Sequence, residues 1–479
     1  MSALIRVRIL NIRSVVECRS EYILVKMRRV ISPREAALQV IYQVTEQKAF
    51  ASLALNEVLN SSKLESRDRN LATELAYSTI KAWNTIDWVL DLFVRGSIKK
   101  LPAWIRSILR LGASQLLYIE RIPSRASIYE TVELAKKYGH RGTVSLVNGV
   151  LRNIARNIDN LPYPDVNRDP VGYLSLRYYH PRWLVSKWLE QFGLKETEEL
   201  LRINNEPAPM VIRTNTLKIS VPSLIKRLQE ENVTVRPVRF APEGMEVEGL
   251  GTVNESSSFQ EGLFYIQDEG SQVVSHALKP EPGSVVIDAS AAPGGKTTHI
   301  AQLMGNKGTI LSCDVHENRL KLIDENCRRL GVNCVKTKMV DARQLGNFFP
   351  EIADYLLIDA PCSGLGVLRR RPDARWHKEE TQIEELSSLQ LEIMLGAKQV
   401  LKPGGVMVYS TCSIAPEENQ EVINKFLDTA EDFFLDSLED FLPVIPEDLK
   451  PSAKQGWVQL LPQCHGTDGF FIARLKKKK

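Results

Sequence analysis

Two cysteines sit in settings where a thiol can do chemistry. Cys362 occupies Asp359-Ala360-Pro361-Cys362-Ser363-Gly364, and Cys412 occupies Ser410-Thr411-Cys412-Ser413. Each follows an apolar run with the length of a buried strand, so both thiols are expected at strand carboxyl ends, opening on one cleft. A thiol on a polar turn near helix N-termini can be held as thiolate below its free pKa of about 8.5. Beside a pyrimidine such a thiolate has a definite use. C5 of cytosine is a poor nucleophile, but a thiolate adding at C6 turns C5 into an enamine-like carbon that can attack an electrophilic methyl group. The C5 proton must then leave and the thiol be expelled. A carboxylate beside N3 and the exocyclic amine would stabilise the adduct, and Asp359 is the candidate. One cysteine is needed to attack; resolving the adduct gives a reason for the second. Cys313, Cys327 and Cys334 read instead as buried structural thiols.

The methyl donor needs a site of its own. Asp288-Ala289-Ser290-Ala291-Ala292-Pro293-Gly294-Gly295-Lys296-Thr297 joins an apolar run to a helical one, and its small residues let a ligand approach the backbone at a helix N-terminus. A dinucleotide fingerprint is absent. A Walker loop would need glycine where Ser290 stands, although Gly295-Lys296-Thr297 and the apolar run ending in Asp359 keep a nucleotide triphosphatase as the alternative. S-adenosylmethionine has no phosphates and needs no lysine clamp, whereas its ribose diol and adenine amine need carboxylate acceptors. Asp314 ends Leu311-Ser312-Cys313-Asp314, where an acidic residue roughly 20 positions beyond the loop would take ribose hydroxyls. Asp341 ends Lys338-Met339-Val340-Asp341 and is placed for the adenine edge. Either aspartate alone could simply cap the next helix; two at successive strand ends favour the ligand.

Elements must hold these residues together. The chain has 479 residues and a formal net charge of +4, long enough for roughly three domains and too weakly charged to choose a partner by charge alone. Its seven cysteines include no CxxC pair, which argues against a disulfide framework and a zinc site and suggests a reducing cytoplasm. No run approaches the roughly 20 apolar residues of a membrane helix. Residues 1–31 mix arginines with apolar residues and read as a loosely ordered extension rather than a targeting segment. From Ser32-Pro33-Arg34-Glu35, a capping pattern, amphipathic runs continue to residue 160 and predict an all-α domain. Residues 161–170 are rich in Pro and Asn and read as a linker. Residues 171–279 alternate helices with short β-rich runs, a small α+β module similar to an RNA-recognition fold. From 280 to 479, strands alternate with helices as in a doubly wound parallel sheet of the α/β, Rossmann-like class.

The motifs together resemble the RNA cytosine C5-methyltransferase family. The resemblance rests on the loop from Asp288 to Thr297, the Asp359 to Gly364 turn and Thr411-Cys412-Ser413, with Arg370-Arg371-Pro372-Asp373 and Pro416-Glu417-Glu418-Asn419. Phe264-Tyr265-Ile266-Gln267-Asp268-Glu269 and Asp468-Gly469-Phe470-Phe471 extend it, and the helical front end is similar to the NusB RNA-binding domain. The resemblance implies a class I methyltransferase domain in which Cys412 adds to C6, Cys362 assists product release and Asp359 contacts base and cofactor. Ser290, Ala291, Ala292, Pro293, Gly294, Gly295, Lys296, Asp314 and Asp341 would hold S-adenosylmethionine. Where the family often has cysteine, this chain has Ser290. The combination with a NusB-like domain implies 16S rRNA or a small-subunit precursor as partner, with cytosine 967 as the expected target. No metal, no membrane and a monomer are expected.

RNA contacts are expected from Lys99, Lys100, Arg106, Arg110, Arg121, Arg125, Lys136, Lys137, His140 and Arg141 in the helical domain, each as easily a solvated face. Arg369, Arg370, Arg371 and Arg375 follow the Asp359 to Gly364 turn and are the better candidates. A non-enzymatic RNA-binding assembly factor would leave the two strand-end cysteines and the loop unexplained.

Overall fold

A computed structural model describes residues 31–479 and divides into two compact units at Ser186/Lys187. The expectation for residues 1–31 lies, apart from Ile31, outside the described residues. The first unit is helical: α1 Pro33–Gln47, α2 Ala51–Ser61, α3 Ser66–Lys81, α4 Trp83–Phe93, α5 Ala103–Tyr118, α6 Ser124–Tyr138, α7 Arg141–Asn157 and α8 Pro170–Arg177. Ser32 caps α1 by accepting from the Glu35 amide at 3.1 Å, as the sequence pattern signals, and Ala37, Val40, Ile41 and Val44 turn inward. Residues 161–169 carry no helix or strand, yet they stay with this unit. Tyr163 packs its ring 4.9 Å from that of Trp88, and Thr85 donates to the Leu176 carbonyl of α8 at 2.7 Å. One aromatic and a short following helix supply the contact that low apolar content hides in a sequence.

The second unit begins inside helix α9, Arg182–Ile203, which breaks at Gly193. Four antiparallel strands follow in the order β2-β3-β1-β4: β1 Val211–Thr214, β2 Thr234–Pro237, β3 Gly244–Glu248 and β4 Phe264–Ile266. Helix α10, Val221–Glu230, covers one face through Leu224 and Leu228, packed with Ile212, Met245 and Phe264. This is the expected α+β module.

The larger sheet contains β5 Val285–Asp288, β6 Thr309–Asp314, β7 Val335–Met339, β8 Ala353–Asp359, β9 Leu401–Thr411, β10 Phe433–Leu435, β11 Trp457–Leu460 and β12 Phe470–Lys477. Its order is β10-β12-β9-β8-β5-β6-β7, with β11 paired to β12. β9, β8, β5, β6 and β7 run parallel, as the alternation of strands and helices predicts; β12 is antiparallel to β9 and makes the sheet mixed. Apolar clusters lie on both faces, around Val286, Ile300 and Val408 on one and Ile287, Met394 and Tyr409 on the other. Because β5 is central, with β6 and β7 to one side and β8 and β9 to the other, the connections diverge between β5 and β8. That divergence opens a crevice beyond the strand ends, the place where such sheets bind ligands. Among the described residues no helix is long and apolar enough to cross a membrane.

Candidate active site

The crevice holds a cavity of about 210 Å³, lined by Asp288, Ser290, Ala291, Ala292, Pro293, Gly295, Lys296 and Asp359 and roofed by residues of the Tyr265 to Asp268 stretch. The loop after β5 turns into helix α12, Gly295–Leu303, through Gly294 at φ 100°, a conformation that excludes most side chains. Two residues of the small module shape this turn, and motif reading did not assign either to the site. A Cβ on Gly295 would lie 3.1 Å from the Tyr265 ring. Arg213 of β1, fully buried, donates to the Gly295 carbonyl at 2.7 Å and to Thr298 Oγ1 at 3.0 Å. Only the pairing of β1 with β4 brings Arg213 here, so no local signal marks it.

Asp288 is a further lining residue. Thr297 Oγ1 donates to its Oδ2 at 2.6 Å, while its buried Oδ1 has no side-chain partner among the described residues and the Ser290 amide is the neighbouring backbone donor. Burial pushes its pKa up to about 7. A carboxylate oxygen without a side-chain partner beside a cavity is an acceptor ready for ligand hydroxyl or amino groups.

At the β8 end, Lys296 Nζ lies 2.7 Å from Asp359 Oδ2, and Ser410 Oγ donates to Oδ1 at 2.8 Å. Both oxygens are therefore oriented, and the lysine is engaged by a carboxylate. Cys362 and Cys412 meet across the β8 and β9 ends, their sulfurs 3.3 Å apart and both residues part-exposed. The thiols are not equivalent. The hydrogen bond from Cys362 lowers the Cys412 pKa, with help from the charges of Lys296 and Arg371, against the opposing effects of burial and the Asp359 carboxylate. The Cys362 thiol is pushed well up by its bond to Cys412 and by burial, with Glu418 adding to the rise. The geometry thus brings together Cys412, Cys362, Asp359, Lys296 and the loop.

The aspartates at β6 and β7 are less centred. Asp314 Oδ1 accepts from the His316 amide at 3.0 Å and Oδ2 lies 3.2 Å from Arg319. Arg319 also donates to the Ala292 carbonyl at 2.9 Å, tying Asp314 to the loop. Asp341 caps the following turn through the Arg343 amide at 3.0 Å and pairs with the Arg343 guanidinium at 2.7 Å. Both cap the turn that follows, and both stand on the same sheet edge as the cavity without lining it.

The four arginines after the Cys362 turn separate into distinct roles. Arg369 pairs with Asp468 at 2.7 Å, and Arg370 bridges Asp468 and Asp268, the latter at 2.9 Å. Three sequence motifs are thereby tied together in one network. Burial, with repulsion from Asp468, raises Asp268 to about 6. Arg375 is fully buried and donates to Asn205 Oδ1 and the Asn204 carbonyl. Arg371 is exposed, and among the described residues its guanidinium has no hydrogen bond or ion pair. In the helical unit Arg110 is also structural, buried between Asp87 and Glu46, and Arg106 pairs with Glu46. Lys99, Lys100, Arg125 and Arg141 are exposed.

One cluster lay outside the cysteine-based expectation about metals. Glu243, His276 and His299 bring three donor atoms within 4.8 Å of one another. His276 Nε2 lies 2.8 Å from Glu243 Oε1, a hydrogen-bond distance. Ligands about 2.0 Å from a tetrahedral zinc would stand roughly 3.3 Å apart, so the spacing is that of a polar lock between the module and helices α11, Glu269–Leu278, and α12.

Comparison with known proteins agrees with this anatomy. The family described as 16S rRNA methyltransferase RsmB/F matches residues 275–476, the NusB family matches 31–156, and an RsmF/B-like ferredoxin-like domain matches 180–254. The probable ribosomal RNA small subunit methyltransferase B of Bacillus subtilis (strain 168) is 40% identical over 448 residues, 93% of this chain and 99% of that protein. Ribosomal RNA small subunit methyltransferase B of Escherichia coli O1:K1 / APEC is 33% identical over 453 residues, covering 94% and 100%. Among solved structures, NSun6 from Pyrococcus horikoshii with SFG superposes with a TM-score of 0.56 at 28% identity, over 62% of this chain and 98% of that one.

Proposed function

Because the chain belongs to the RsmB/F family of 16S rRNA methyltransferases, with a NusB domain in front, we propose that it methylates C5 of a cytosine in 16S rRNA, cytosine 967 being the expected position, through a transient bond from the Cys412 sulfur to C6. The observation that carries this reading is the thiol pair, 3.3 Å apart, beside an Asp359 fixed through both oxygens.

The crevice fits S-adenosylmethionine by its donor set. The Asp288 Oδ1 acceptor and the small-residue loop suit hydroxyl and amino groups, and the loop lysine, already engaged by Asp359, is not offered to a phosphate. That arrangement also disfavours a nucleotide triphosphatase. Asp314 and Asp341 would complete the hold by exchanging an arginine contact for ligand donors. When bound, the cofactor supplies a methyl group on a positively charged sulfur.

The protein's own residues do the rest. Cys412, the thiol whose ionisation is favoured, adds to C6, and the displaced electron pair makes C5 nucleophilic. Asp359, held by Lys296 and Ser410, takes the exocyclic amine edge of the base. After C5 has gained its substituent, its proton passes to a base in the cleft, the ring double bond re-forms, and the C6–S pair returns to Cys412. Cys362, which keeps its proton, donates to the departing sulfur. The roles follow from surroundings: Lys296 and Arg371 favour the Cys412 thiolate, against burial and Asp359, while Glu418 and Asp359 both keep Cys362 protonated. Arg371, exposed and unengaged, is the cleft arginine available to an RNA phosphate, with Lys99, Lys100, Arg125 and Arg141 offering further contacts from the helical unit. The enzyme acts as a monomer in the cytoplasm.

The test is methyl transfer from radiolabelled cofactor to 16S rRNA, with modified cytosines mapped in RNA from cells lacking the chain. Wild-type protein restores one C5-methylated cytosine and Cys412→Ala does not; equal transfer by the variant refutes the reading.

A further inference from the structure

Behind the two thiols lies a carboxylate that the reaction so far does not use. Glu418 is fully buried and has no cationic partner among the described residues. It accepts from the Ser363 amide at 2.7 Å, from the Ser363 and Ser413 hydroxyls, and from Gln390 Nε2 at 3.1 Å. Ser363 directly follows Cys362, and Ser413 directly follows Cys412. One carboxylate therefore holds the residue after each thiol, and the two serine hydroxyls themselves stand 3.1 Å apart. Gln390 also donates to the Pro361 carbonyl at 2.9 Å, on the other side of Cys362. A buried carboxylate without a cation is costly to keep, and four converging donors are what make it tolerable. Such a site is dear to build where neutral residues would hold two turns equally well. Two of its donors belong to Ser363 and one to Ser413, so the Cys362 turn is the more firmly held.

From this we infer that Glu418 is a positioning residue that sets the division of labour between the thiols. It fixes the Cys362 and Cys412 turns at hydrogen-bonding distance, and its negative charge keeps the shared proton on Cys362, so that Cys412 alone is the attacking sulfur. The inference rests on the covalent reading above for its use, though not for its observation. The charge effect on Cys362 is in the expected sense, since Glu418 is among the groups that raise its thiol. Lys296 and Arg371 favour the Cys412 thiolate, against burial and the Asp359 carboxylate.

The experiment uses the full chain without RNA or cofactor and measures iodoacetamide alkylation of each thiol across pH by peptide mass spectrometry. Wild-type protein is expected to label Cys412 well ahead of Cys362 at pH 7. Glu418→Gln, which keeps the shape and removes the charge, should shrink that preference about tenfold, the equivalent of one pKa unit, and lower kcat for methyl transfer with little change in the KM for S-adenosylmethionine. An unchanged labelling ratio in a folded Gln variant overturns the inference, including when stability and kcat both fall, because a purely structural role would give that result. Glu418→Asp keeps the charge and shortens the reach; it should preserve the labelling preference while losing kcat. Full kcat in that variant likewise overturns the inference, and it remains readable if the Gln variant does not fold. If Cys412→Ala retained methyl transfer, the covalent reading would fail while the labelling ratio still reported on Glu418.

Discussion

The two halves of the catalytic sheet's carboxyl edge are built differently. At the β8–β9 end most side-chain ties span long sequence distances, Lys296 to Asp359, Ser410 to Asp359, Cys362 to Cys412 and Ser363 to Glu418, with Ser413 reaching Glu418 from nearby in the chain. At the β6–β7 end, Asp314 and Asp341 are held by their own turns and by one nearby, half-exposed arginine each. The first end is held by its own side chains without a ligand, as preorganised catalysis needs. At Asp341 the arginine pair faces solvent and contributes only about 0–1 kcal/mol, so exchanging it for ligand donors would cost little, whereas Asp314 is buried. On the proposed reading, chemistry and binding would occupy opposite ends of one edge, with the loop after β5 between them.

The contrast can be broken by mutation. Asp359→Asn should lower kcat by on the order of 10²–10³-fold with a near-normal KM for S-adenosylmethionine, as steady-state kinetics would show. A change confined to KM would move Asp359 to the binding end. Asp341→Asn should do the reverse, raising the cofactor Kd by roughly tenfold, the scale of one charge-assisted hydrogen bond, in a calorimetric titration with kcat kept. Loss of kcat alone would deny the division.

Two smaller effects sharpen it. Since Cys412 ionises below the ordinary thiol range, the acid limb of kcat/KM should have its midpoint below about 8.5, and Lys296→Gln should move it upward. A midpoint at or above the free value would place the nucleophile elsewhere. Asp288 concerns stability. Its folded pKa, about 7, lies above the unfolded value of about 3.9, so the folded state binds more protons between the two and loses stability as pH rises through that window. Asp288→Asn should therefore stabilise the cofactor-free protein at pH 8, by on the order of 1 kcal/mol or roughly 2–4 °C in Tm, and much less at pH 4, while weakening cofactor binding. An equal shift at both pH values would contradict the buried charge.

Much of the edge was legible because its signals are local. Five strand ends, the turn after β5 and both cysteine turns are each contained within about ten residues, and apolar runs ending in Asp or Ser-Thr mark them directly. The helical unit was legible through caps and stripes such as Ser32 with Val40 and Val44. What escaped depends on pairing between distant segments. β12 reads as an apolar run like any strand, and nothing local says that Phe471 will face Thr411 in the antiparallel sense. Arg369 and Arg370 look like RNA contacts until Asp468 and Asp268 arrive from 98 and 102 residues away. Arg213 and Tyr265 reach the loop only because a separate module docks there. Glu418 sits in a motif but gives no hint of its partners, which come from Ser363, Gln390 and Ser413.

The most direct measurement traps the enzyme on its RNA. Cys362→Ala protein turned over with 16S rRNA and S-adenosylmethionine, then denatured and digested, should yield a pyrimidine-linked peptide whose modified residue is Cys412. A linkage at any other residue, or normal turnover without a denaturation-resistant adduct, would contradict the roles assigned to the two sulfurs.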